Sequence, residues 1–302
     1  MKRRPRRNPS PKNTDIFIDI GGTFSHRDYL NKQHDGDGRE YMSASKLKAI
    51  ASMELFNKDS EALSFGRIFH EICEKILTAR PYIICKNAEY KKLFAQYEED
   101  FADQPGKMPV IYKMTPADFN KMNGMITQFI TYCVPAVDGK KLKTELSVLI
   151  SSKFIKKAKT KIIPTELMPF HAFLVNNDLS VKARFDAVHH DNQRIIDWKS
   201  TTCTSISTML YDARKFGYFL QACVYKYVSL LAFGKVYSLD FMFFPKVEEL
   251  GIPVQATYDM VPAEIRADHL TRSLPGPDAM AMRKNIQQSR SDTRPIGVSL
   301  TV

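Results

Sequence analysis

The chain has 302 residues, 44 Lys and Arg against 33 Asp and Glu, a formal charge of +11 and a pI near 9.3. With 44% hydrophobic and 25% charged residues, this is the composition of a soluble chain able to bury a large core. No run approaches the ~18 apolar residues of a membrane span, and no apolar stretch follows the basic N-terminus, which argues against secretion. The positive excess favours a polyanionic partner.

Along the chain, residues 1–40 read as a basic, partly disordered arm and lead-in. Within it Asp15-Ile16-Phe17-Ile18-Asp19-Ile20-Gly21-Gly22-Thr23 mimics the first phosphate loop of sugar kinases. No second phosphate motif follows, so this is expected to be a plain strand and turn. Residues 41–48 open a helix with Ser43 as N-cap and Leu47, Ile50 and Ala51 on one face. Residues 62–77 form an amphipathic helix in which Gly66 and His70 share a face, while Glu71 and Glu74 point to solvent. Residues 80–135 read as helices broken near Pro105 and Pro109, with Phe119, Met122, Met125, Ile126, Phe129 and Ile130 at core spacing. Residues 143–150 suit the first strand of a sheet, and the lysine-rich 153–161 suits a solvated loop or a phosphate contact.

Residues 181–188 and 194–198 are strand-like runs around the polar turn His189-His190-Asp191-Asn192-Gln193, a hairpin signal. Alternation puts Ala183, Phe185 and Ala187 on one face and Lys182, Arg184, Asp186 and Val188 on the other. The hairpin then brings Asp186 and Asp197 together, with Lys199 pointing as Asp197 does. Two close carboxylates raise each other's pKa unless a cation sits between them. Their hard oxygens suit Mg²⁺ or Mn²⁺, and a lysine alongside can orient water or stabilise a phosphoryl transition state. The combination suggests metal-assisted phosphodiester hydrolysis, where a lone D-x-K would read as an ordinary surface hairpin ending in an Asp/Lys ion pair.

Downstream, 200–208 is a Ser/Thr run that can cap a helix or bond phosphate. Residues 218–231 are helical, with Gln221 and Tyr225 on one face. Residues 237–244 form a final apolar strand. Residues 275–302 read as a flexible tail, leaving 41–274 as the main domain.

The ordered set Asp186, Asp197-Trp198-Lys199-Ser200-Thr201-Thr202 and Tyr218-Phe219-Leu220-Gln221-Ala222-Cys223-Val224-Tyr225, with His70 upstream, resembles the PD-(D/E)xK nuclease superfamily. The likeness is nearest to its exonuclease VIII (RecE-type) branch, related to the RecB nuclease domain. The resemblance implies an α/β restriction-endonuclease-like core with a central mixed sheet flanked by helices. It implies that Asp186, Asp197 and the Trp198 carbonyl hold the metal, with His70 and either Glu145 or Glu166 completing a second site, Glu145 being preferred for its alternating strand pattern. It also implies catalytic roles for Asp186, Asp197, Lys199, Gln221 and Tyr225. Candidate DNA contacts are Ser43, Ser45, Arg184, Thr201, Arg214 and Lys215. The activity implied is Mg²⁺-dependent 5′ to 3′ digestion of linear duplex DNA with a free end by a ring-forming homo-oligomer, with a single-strand annealing recombinase as partner.

The five cysteines Cys73, Cys85, Cys133, Cys203 and Cys223 are scattered without a C-x-x-C. They read as reduced thiols of a cytoplasmic protein, with no iron-sulfur cluster expected. Two alternatives stay open: a RecB/Cas4-like or structure-specific endonuclease, which would cut a circle, and a non-catalytic nuclease-like DNA-binding module.

Overall fold

The computed structural model describes residues 16–19, 26–51, 61–133, 142–203, 205–247 and 254–258. In chain order these are β1 (Ile16–Asp19), α1 (His26–Asn31), β2 (Tyr41–Met42), α2 (Ala44–Ala51), α3 (Glu61–Leu77), β3 (Tyr82–Lys86), α4 (Tyr90–Asp100), β4 (Val110–Met114) and α5 (Pro116–Gln128). Then follow β5 (Leu142–Ile150), α6 (Ser152–Lys157), α7 (Met168–Asn176), β6 (Ser180–His189), β7 (Arg194–Thr201), α8 (Ile206–Lys215), α9 (Tyr218–Phe233), β8 (Ser238–Pro245) and β9 (Val254–Tyr258).

A seven-stranded mixed sheet runs β1-β5-β6-β7-β8-β9, with β2 also pairing to β6. The β7–β8 and β2–β6 pairs are parallel and the others antiparallel. Helices cover both faces. In β8, Leu239, Phe241 and Phe243 enter one core cluster with α9, while Met242 and Phe244 meet the cluster of α3 and α5. A strand buried on both faces reads as a continuous apolar run, as 238–245 does.

The helices follow their periodicity. Phe69, Ile72 and Cys73 of α3 are fully buried, the i, i+3, i+4 pattern of one face. Residues Leu220 to Leu231 of α9 are buried on every side, which makes it the central helix. It starts after Gly217 and ends at Gly234, both at positive φ. Such a backbone is strained for any residue with a Cβ. α5 is capped by the Thr115 hydroxyl, which accepts from Asp118 N–H at 3.2 Å, with Pro116 in the first turn.

Several expectations are corrected. Residues 82–86 and 110–114, read as helical, form a separate two-stranded parallel sheet. β8 is not the last strand, since β9 pairs with it. The 153–161 stretch contains the short helix α6 instead of a plain loop. Ala51 is exposed, and Glu71 and Glu74 are half-buried, with Glu71 accepting from Tyr112 Oη at 2.9 Å. The expected strand after the arm is present as β1, paired with β5 at the sheet edge, while Gly21 and Gly22 lie outside the described residues. No single helix among the described residues is long and apolar enough to cross a membrane.

Candidate active site

The site occupies a break in the sheet. One edge of β6 is shared: β2 pairs with Ser180 and Val181, and β7 pairs with residues from Ala187 to His189. Between them, residues 182–186 have no strand partner on that edge among the described strands. β6 and β7 splay apart there, with Asp186 on one prong and Asp197, Trp198 and Lys199 on the other. The expected two-residue alternation also fails there. Phe185 packs in the α9 cluster, Ala187 in the α3–α5 cluster, and Val188 in the α9 cluster again, so β6 changes face at Asp186.

The fork's backbone groups are met by side chains, as buried polar groups must be. Trp198 N–H donates to Asp186 Oδ2 at 2.9 Å across the gap. Tyr225 Oη donates to the Arg184 carbonyl at 2.8 Å. Asp197 Oδ1 accepts from Gln221 Nε2 at 2.7 Å. From the opposite face, α3 brings His70 Nδ1 to 3.1 Å from Asp186 Oδ1. α3 can approach closely because residue 66 is glycine: a Cβ there would lie 3.3 Å from Ser200 Oγ.

Lys199 forms an ion pair with the buried Asp197 Oδ2, so Gln221 and Lys199 each meet one oxygen of that carboxylate. Burial pushes the Asp197 carboxyl above its ordinary range; Lys199 opposes this and Asp186 adds to it. Asp186 is held below its ordinary range: burial works against its charge, but His70, Lys199 and the Trp198 N–H outweigh it. His70 moves up despite burial, because the Asp186 carboxylate favours the imidazolium. Lys199 likewise moves up despite burial, under Asp197 and Tyr218. The pair divides as interacting carboxylates do, Asp186 held down and Asp197 pushed up.

The structure therefore gathers His70, Asp186, Asp197, Trp198, Lys199, Gln221 and Tyr225 around one fork. Arg184 is half-buried beside it, its guanidinium pushed down by burial and supported by Glu74, Tyr29 and Asp186. Thr201 is turned inward instead: it is buried and its hydroxyl accepts from Cys203 N–H at 3.0 Å. Ser43 acts as a cap, accepting from Lys46 N–H at 3.3 Å, whereas Ser45 and Lys215 are exposed. The side chains of Glu145 and Arg214 lie outside the described residues. Glu166 sits in a short 3-10 turn before α7, next to Cys223 of α9, and is not among the main charges acting on Asp186 or Asp197. Sequence reasoning missed Lys48, whose Nζ lies 4.9 Å from the centroid of the Tyr218 ring. No local pattern marks it, because α2 and α9 are far apart in sequence.

Among the described residues no group of three or more His, Cys, Asp or Glu is ready-made for an ion. The donor set still fits one hard divalent cation: two neighbouring carboxylates, Asp197 pushed up by burial and by Asp186, leave the remaining positions for backbone, water and substrate.

Two acids and a lysine on neighbouring strands of a helix-flanked mixed sheet define a class of metal-assisted phosphodiesterases. Residues 39–270 match the family model described as the PD-(D/E)XK nuclease superfamily, and the chain belongs to that superfamily. Its nucleases generally use divalent metal ions. No curated protein matches the chain. Among solved structures it is similar to the crystal structure of a candidate exonuclease from Eubacterium rectale, at 14% identity and a TM-score of 0.43 over 91% of this chain and 89% of that one.

Proposed function

We propose that the chain is a Mg²⁺- or Mn²⁺-dependent deoxyribonuclease that digests linear duplex DNA from its 5′ ends, leaving 3′ single strands for homologous recombination. The observation that carries this reading is the fork itself, with Asp186 facing Asp197 and Lys199.

Asp186, Asp197 and the Trp198 carbonyl would hold the metal, which when bound neutralises phosphate charge and acidifies water. Lys199, kept as an ammonium by Asp197, orients the attacking water or donates to a phosphate oxygen. His70 fixes Asp186 through its 3.1 Å contact and so reaches the reaction through that carboxylate, as residues behind metal ligands do. Gln221 fixes Asp197 likewise, and Tyr225 holds the β6 prong. Ser45 and Lys215, both exposed, would meet the DNA backbone. The reading carries with it a cytoplasmic location, a homo-oligomeric ring and a single-strand annealing partner.

The test is incubation with Mg²⁺ of end-labelled linear duplex beside closed circular plasmid, with EDTA and Lys199→Ala as controls. Loss of the linear DNA from its 5′ ends with the circle spared is the expected result. A cut circle would make the protein an endonuclease, and no cleavage with either divalent ion would overturn the catalytic reading.

A further inference from the structure

Two lysines from distant parts of the chain meet on one aromatic ring beside the fork. Lys199 Nζ lies 5.0 Å from the Tyr218 ring centroid and Lys48 Nζ 4.9 Å from it. The Lys48 stem runs along Gly217, where a Cβ would meet its side-chain carbons at 3.6–3.9 Å. Burial, and after it Lys199, pushes the Lys48 ammonium down to about 7; an arriving phosphate would relieve that crowding.

The strip continues outward. Tyr218 stacks on Phe241 at 5.2 Å, and Phe216 lies 6.1 Å beyond Tyr218, tilted by 31°. Phe216 is 48% exposed, with Lys215 Nζ 5.6 Å from its ring. From the reacting centre to solvent there are thus two ammonium groups, a half-buried ring, an exposed ring and a third ammonium. Cations on either side of two neighbouring rings suit a flexible nucleic-acid strand, which offers a phosphate and a π-face at each nucleotide.

We propose that Lys48, Tyr218 and Phe216 form a subsite for one unpaired nucleotide of the strand being cut, Lys48 holding its phosphate and Phe216 stacking on its base. The assignment of that strand rests on the nuclease reading above; the binding itself does not. The three lysines along the strip, in a chain of net charge +11, select a polyanionic occupant over an apolar one.

The test uses full-length, metal-free protein, so that nothing is cleaved, and the fluorescence anisotropy of labelled oligothymidine. Phe216→Ala is expected to weaken binding about fivefold or more, the lower end for loss of one stacked base, and Phe216→Trp to restore it. Single abasic positions walked along the strand are expected to include one at which wild type and Phe216→Ala bind equally, which general damage to the fold would not produce. Lys48→Ala is expected to weaken binding and to flatten the salt dependence by roughly 0.7 in log–log slope, one phosphate contact. Unchanged binding by Phe216→Ala, an equal loss on every abasic strand, or no binding of oligothymidine by wild type would each overturn the subsite. Parallel wild-type cleavage of linear duplex with Mg²⁺ reads the nuclease assignment separately.

Discussion

β7 carries an ion pair at each end, and the two differ in their surroundings. At its start, Arg194 meets the buried Asp240 of β8, with Nε 2.7 Å from Oδ2 and Nη2 on the same oxygen. At its far end, Lys199 meets the buried Asp197. Asp240 and Asp197 are 1% and 2% exposed, so burial does not separate them. What separates them is company: Asp197 shares its pocket with Asp186, which adds to the upward push on its carboxyl, whereas the guanidinium fork serves Asp240 with charge-assisted bonds. One pair fastens strands together; the other sits beside a second carboxylate.

The sharpest way to break this comparison is to neutralise each acid in turn. Asp197→Asn is expected to lower cleavage by at least ~10³-fold, the scale of losing a preorganised charge-stabilising group. Its stability should move by no more than about 1 kcal/mol, since relief from Asp186 offsets the lost Lys199 pair. Linear-duplex cleavage and thermal melts would read both. Adding Mg²⁺ at about 100 times its Kd should stabilise wild type and Asp240→Asn by about 2.7 kcal/mol and leave Asp197→Asn unmoved; a melt shift in Asp197→Asn would remove that residue from the metal shell.

Asp240→Asn should give the mirror image, losing about 2 kcal/mol through its bonds to Arg194, or about 5 °C in Tm, with cleavage within about threefold of wild type. Tyr225→Phe leaves the Arg184 carbonyl without its donor and should cost about 1 kcal/mol, visible as a lower denaturant midpoint with slower cleavage. The smallest effect belongs to a surface cluster far from chemistry. Asp178 accepts from Arg39 Nε at 2.6 Å and pairs with Lys156 at 2.6 Å; hydrogen bonds from Lys156 and then Arg39 hold its carboxyl down to about 2. A depressed folded-state pKa stabilises above the unfolded value near 3.8 and is lost as pH falls from there toward 2. Because Asp178 is 44% exposed, the loss should be roughly half a kcal/mol, read as the part of the acid-induced melting shift that disappears in Asp178→Asn.

The hairpin, α3 and α9 were legible because their patterns are local: alternation or helical spacing over eight or more residues, with a polar turn or glycines at the ends. Asp186, Asp197, Lys199, His70, Gln221 and Tyr225 were legible through ordered spacing, and the structure brings them to one fork. β3 and β4 were not, since a five-residue apolar run is ambiguous between helix and strand until its distant partner is known. The change of face at Asp186 was hidden for a related reason: it depends on where β7 stops pairing with β6, which no residue between 181 and 188 encodes. Thr201, expected at the surface, turned inward because its hydroxyl closes the turn after β7. Lys48 was missed because only the packing of α2 on α9 makes it a neighbour of Lys199.

The divided edge of β6 also bears on the order in which the molecule assembles. The β6–β7 hairpin, joined by the turn 190–193, collects both acids early, whereas the Tyr41↔Ser180 pairing closes a much longer loop and is expected late on entropic grounds. A chain caught before that step has a sheet and both carboxylates but no framed gap to hold them apart. In native-state hydrogen exchange, the amides of Met42 and Val181 should then open at lower free energy than those of β7 and β8, and nuclease competence should be the last property acquired on refolding and the first lost on mild destabilisation.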